Sequence, residues 1–202
     1  GPERPLGYTR WVPAQQIGEN LAFINWTVLT GLAIGSFGAV VLAALRTDAT
    51  RGFLAFTAAC STFFALLAFA SDRALPATLG GSPIVGDPAF DVPRQVALAV
   101  FTLIAGAYTI ALARRSRAPW LGIAGLVAAG CVLVTAALSW GGGAFGAVPL
   151  LLQLSVLATA TGGVFAAMIL GHWYLVTPKL PEAPLILIAR ALFVIVALQL
   201  AL

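Results

Sequence analysis

Charge is what this sequence has least of. Only 9% of its 202 residues are charged, it holds a single histidine, and Lys179 is its one lysine. A soluble domain carries about 25% charged residues, so there is too little polar surface here to cover a water-facing globule. With one histidine, bis-histidine haem ligation is excluded. The two cysteines, Cys60 and Cys131, sit inside apolar runs with no CxxC pair and no Cys/His set, and so support neither a disulfide framework nor a zinc site. No HExxH, GxSxG or P-loop pattern occurs. No acidic residue falls in the middle of an apolar run, which removes the usual carboxylate proton relay. The sequence therefore points to no catalytic residue, no metal and no resident cofactor, and an enzyme is the less favoured class.

What is abundant is apolar residue. The chain is 60% hydrophobic, with 21 glycines and a mean hydropathy of +0.99. This composition reads as an all-α integral membrane protein whose main partner is the lipid bilayer. A net charge of +4 and a pI near 9.7 could suggest nucleic acid. The positive charges instead lie in short loops between apolar runs, where they set membrane orientation, so no nucleic-acid partner is expected.

A crossing helix needs roughly 20 apolar residues. Six segments qualify, at 21–45, 52–70, 95–113, 120–140, 148–176 and 184–202, and they predict a six-transmembrane-helix bundle forming a single domain over 21–202. Arg46 and Arg51 lie between the first two spans, Arg114, Arg115 and Arg117 between the third and fourth, and Lys179 between the fifth and sixth. The positive-inside rule makes that side cytoplasmic and places the N-terminus outside, in a bacterial or archaeal cytoplasmic membrane. Residues 1–20 read as an outer interfacial segment around Trp11, with Gly1-Pro2 taken as a remnant of tag removal. The loop at 71–94, with Pro76, Pro83, Pro88 and Pro93 among glycines, reads as an ordered outer cap or a lid and not a helix, and Asp72-Arg73 as a solvated rim. Gly141 to Gly146 reads as a tight turn.

Two stripes of small residues recur every four positions. Thr27, Gly31, Gly35, Ala39 and Ala43 mark the first span; Ser155, Thr159, Gly163, Ala167 and Gly171 mark the fifth. Four residues is close to one helical turn, so each set lies nearly along its helix axis and lets another backbone approach in lipid. Spans one and five are predicted to be the central packing helices. A shift of 94 residues lays Trp26 on Trp120 and Gly31 on Gly125, which makes a 3+3 inverted repeat a candidate. Asn25, Gln153 and Gln199 are expected to hydrogen-bond between helices.

The rare ionisable residues crowd around Gly171 to Pro181. His172, Trp173 and Tyr174 fan around the end of the fifth span, Lys179 lies in the following turn, and Arg190 lies seven residues beyond Ala183. An arginine at that depth snorkels, pairs or faces a polar cavity. These five residues are the candidate substrate-binding cluster, at the cytoplasmic mouth. The competing account makes Arg190 a lipid-phosphate anchor, Trp173 and Tyr174 interface anchors, and His172 a helix cap.

Three functions compete. A transporter or channel-like protein for a small solute or ion comes first. A quinone- or cofactor-binding subunit of an electron-transfer complex is the alternative, with quinone as its ligand. A membrane scaffold without chemistry, working as a homo-oligomer or within a membrane complex, is the third.

Overall fold

The computed structural model describes residues 14–75, 86–116, 118–176 and 182–201. Residues 1–13, the centre of the 71–94 loop and Lys179 therefore lie outside the described residues. All regular structure among those described is helical: α1 (Ala14–Arg46), α2 (Arg51–Asp72), α3 (Asp91–Ala113), α4 (Pro119–Trp140), α5 (Ala144–Val176) and α6 (Ala183–Ala201), with a 3₁₀ turn at Pro88–Phe90 before α3. All six are long and apolar enough to cross a membrane. This is a helical bundle suited to a bilayer, because each helix satisfies its own backbone groups where no water can.

The breaks between helices follow from local chemistry. Thr47 to Thr50 separates α1 from α2. Pro119 opens α4, where its missing N–H costs nothing, after Ala118 at φ 34°. The turn from α4 to α5 needs Gly142 at φ 64° and Gly143 at φ 115°, a region that side chains disfavour. Gly141 and Gly146 close that turn so tightly that a Cβ on Gly146 would meet the Gly141 carbonyl. α1 runs unbroken from Ala14 past the expected span start at 21, so its first turns continue the transmembrane helix.

α1 to α4 pack sequentially into an antiparallel four-helix group. Its interior is filled by aromatic rings in two tiers. Trp26 meets Trp140 edge-on at 4.6 Å, with Phe23 against the same indole at 4.9 Å. Further along, Phe37 meets Phe101 at 5.4 Å and Tyr108 at 5.5 Å. α5 lies along α1 in the most extensive pairing of the molecule, and α6 leans on α5. A two-fold relating α1–α3 to α4–α6 would turn the α1–α5 pair into an α4–α2 pair, yet α2 and α4 do not pack along each other. Large apolar side chains such as Leu103, Phe145 and Phe193 face outward, as a lipid-facing surface requires.

The closest helix approach is at Gly35 and Gly162. A Cβ on Gly35 would strike the Ala158 carbonyl, and one on Gly162 would strike the Ser36 backbone nitrogen. Gly31 and Gly35, from the small stripe on α1, line this contact. On α5 the contact runs through Ala158, Thr161 and Gly162. Thr159 and Gly163, one position later, turn instead toward α6, where Leu192 stands 3.1 Å from a Cβ placed on Gly163. One residue turns a helix by about 100°, so neighbouring four-residue stripes on α5 serve different partners.

Candidate functional site

Two ends of the bundle can be told apart by their residues. The Arg51 end carries the α1–α2 and α3–α4 connections, with Ala49, Arg51, Arg115 and Ser116 around one small hollow. The Asp72 end carries the start of α3 and the α4–α5 turn.

The described members of the Gly171 to Pro181 cluster lie at the Arg51 end. His172 and Arg190 are exposed, and neither makes a hydrogen bond or ion pair among the described residues. Trp173 is half-buried and packs over Gly52 at the start of α2, where a Cβ would lie 2.5 Å from its Cζ2. Tyr174 is hydrogen-bonded to the backbone of Leu185, in the first turn of α6. It thus satisfies a group that a helix start leaves open and ties α5 to α6. Gly171 has open space where a side chain would stand. The contact at Gly52 makes one expected result concrete. Gly52→Val turns Trp173 toward lipid, raises its accessibility to a fluorescence quencher and costs about 1 kcal/mol, because only the rim of one ring has to move.

The Asp72 end holds the charged cluster. Asp72, expected as a solvated rim, is 2% exposed, and Arg94 at the first turns of α3 is 3% exposed. The Arg94 guanidinium donates through Nε to Asp72 Oδ2 at 2.8 Å and through Nη2 to Oδ1 at 3.3 Å. Its Nη1 donates to Asp91 Oδ1 at 2.9 Å and to Ser139 Oγ at 2.7 Å. The Ser139 hydroxyl in turn donates to Asp91 Oδ1 at 3.4 Å. The guanidinium carbon sits 4.7 Å above the Trp140 ring. A buried arginine is tolerated only when paired and hydrogen-bonded in this way, and here one side chain joins α2, α3 and α4. Asp87 completes the join, its N–H donating to the Ser139 carbonyl at 2.7 Å. Asn25 adds a bond from α1 to Ser71 of α2 at 2.8 Å.

The reason Asp72 is buried can be read in its register. On α2 the buried positions Ser61, Ala65, Ala68 and Asp72 lie on one face, and on α3 Arg94, Leu98, Phe101 and Ala105 do the same. Each charge continues a core-facing stripe, a signal that counting charges by loop overlooks.

This cluster walls a cavity of about 220 Å³, lined also by Phe23, Gln95 and Trp140. Two further cavities follow it down α1 and α4, the nearer between α1, α4 and α5 and the farther between α1, α5 and α6 with Leu126 of α4 at its edge. A void of about 10 Å³ lies beside Trp26, Thr30, Leu133 and Leu154. Beyond it, an apolar groove of about 280 Å³ is lined by Gly38, Leu126, Gly163 and Leu192. Trp140, Leu133 and Leu126 mark the three in order down α4, a span of about 21 Å at 1.5 Å per residue. The Trp26–Trp140 pair separates the first from the second, and the Gly35–Ala158 contact lies between the second and third.

Cys60 and Cys131 are both free, and Cys131 is exposed. Among the described residues no group of three or more His, Cys, Asp or Glu side chains could hold a metal ion. No family model, curated protein or solved structure matches the chain.

Proposed function

We propose that this membrane protein is a transporter, or a channel-like protein, for a small uncharged solute that moves along α1 and α4. The observation that carries the reading is the axial order of the three cavities, which succeed one another at about two-turn intervals along α4 and in the same order along α1. The first cavity offers charged and aromatic groups suited to capturing a polar molecule. No charged side chain lines the second or third, so an ion would meet an uncompensated desolvation cost there. Under this reading the Arg51 end faces the cytoplasm, by the excess of Arg46, Arg51, Arg114 and Arg115. His172, Trp173, Tyr174 and Arg190 then form the anchoring belt at that mouth. The route does not require a 3+3 inverted repeat.

The test is solute flux into proteoliposomes, read by light scattering with urea and glycerol. Gly38→Leu is the chosen plug, because a Cβ there has only Leu126 Cδ2 near it, at 3.9 Å, and the added side chain enters the groove without a backbone clash. Flux is expected to fall by about tenfold or more, a rise of ~1.4 kcal/mol in the barrier. Arg190→Ala should leave it unchanged. Wild-type vesicles no more permeable than empty ones to either solute would end the proposal.

A second reading rests on the groove alone. Its apolar walls suit the isoprenoid tail of a quinone. The head group is less well served, because Tyr174 is engaged by Leu185 and His172 lies nine residues from Gly163, half a turn away around α5. Quinone extracted from the purified protein at about one per chain would replace the transport reading with this one.

A further inference from the structure

Among the described residues, three buried side-chain polar atoms have no hydrogen-bond partner: Trp26 Nε1, Thr30 Oγ1 and Thr57 Oγ1. Thr57, on α2, lines none of the three cavities. Trp26 and Thr30 both line the small central void, and they are 1% and 2% exposed. Thr30 and Thr57 depart from the pattern of most other described threonines. Thr27, Thr62, Thr102, Thr109, Thr135, Thr159 and Thr161 each donate their hydroxyl to the carbonyl four residues earlier. That local bond is the ordinary refuge for a threonine in a helix. Thr30 does not take it, and its hydroxyl is left open where the Trp26 indole N–H is also open.

We propose that this void is a hydration site holding one water molecule between Trp26 and Thr30. The spacing suits it. Residues four apart stand on the same face of a helix, and both unpartnered residues line the one hollow. The volume, about 10 Å³, is at the lower bound of about 10–15 Å³ that one water needs on this measure. Three partners are to hand. The water accepts from Trp26 Nε1–H and exchanges a hydrogen bond with Thr30 Oγ1. It donates to Thr27 Oγ1, whose own proton is committed to the Phe23 carbonyl at 2.9 Å. Leu133, Leu154, Leu157 and Ala158 line the rest of it. Without the water, two polar groups would be stranded in an apolar interior, the arrangement folded proteins avoid most consistently. The site stands whether or not a solute moves past it.

The test uses the full chain in nanodiscs with ¹⁵N-labelled tryptophan. The Trp26 indole signal is assigned by its loss in Trp26→Phe, and Trp120, exposed in the first turn of α4, serves as the reference indole. The expected result is a water cross-peak on the Trp26 indole proton that disappears in Thr30→Val and persists in Thr30→Ser. A wild-type spectrum with a water cross-peak on Trp120 but none on Trp26 overturns the proposal. Thermal unfolding gives a second, independent reading through its sign. In a dry void, Thr30→Val removes a stranded hydroxyl and Tm rises; around a bound water, it removes a partner and Tm falls. A rise in Tm for Thr30→Val is therefore also a refutation.

Discussion

Gly162→Leu is expected to prevent α5 from docking on α1 and to leave little folded protein. Even Gly162→Ala should cost about 3 kcal/mol, the upper part of the range for overpacking a tight interior. The added Cβ would meet the Ser36 nitrogen and the Gly35 backbone. Those are main-chain atoms, which no change of rotamer can move aside, so the whole helix must retreat. Retreat loses contacts along the most extensive helix pair in the molecule. In lipid those dispersion contacts are the main force between apolar helices, because tails and side chains are equally apolar. Gly130→Ala and Gly171→Ala are the matched controls, since a Cβ at either position meets nothing within 4 Å. Both should be neutral or slightly stabilising, because alanine is the better helix former by about 0.8–1.0 kcal/mol. Denaturant unfolding in mixed micelles across the set measures the difference. A Gly162→Ala protein as stable as the two controls would mean that the helices do not approach as described.

Asp72→Ala should cost about 3–5 kcal/mol, the usual penalty for breaking a buried ion pair from one side. Arg94 would keep Asp91 and Ser139 on Nη1 but lose its partners on Nε and Nη2. With only 3% of Arg94 exposed, water cannot replace them without opening the junction of α2, α3 and α4. The double change Asp72→Leu with Arg94→Met should recover much of the loss, because removing both charges removes the stranded one. Asp91→Ala should cost less than Asp72→Ala. The Asp91 carboxylate is 37% exposed and is already partly hydrated, so its pairing with Arg94 is discounted by solvent. A double variant no more stable than Asp72→Ala alone would show that the cluster is held by something other than mutual charge. The cost of Asp72→Ala should also survive added salt, since screening reaches buried pairs weakly.

The Asp72–Arg94 pair also shows where a linear reading stops. Grouping charges by loop put Asp72 with Arg73 at a solvated edge, whereas the structure buries Asp72 and pairs it 22 positions away. The relevant signal was helical register, and register becomes visible only when the helix is extended to its true end. The Gly171 to Pro181 segment shows the reverse. Its residues drew attention by rarity, and among the described ones neither His172 nor Arg190 has a polar partner. The described members of that segment are spread around α5, and Arg190 stands separately on α6.

Class, span count and the alternation of loops were settled by the sequence alone. Each depends on local quantities, the length and apolarity of a run and the proline or glycine that ends it, and these add along the chain without reference to neighbours. Which small stripe on α5 meets α1, which carboxylate holds Arg94, and that three cavities succeed one another along α1 and α4 were decided only by tertiary packing. These depend on the rotation of each helix about its axis. A turn of about 100° separates one residue from the next, and in an apolar chain many faces would serve nearly equally well until a partner helix selects one.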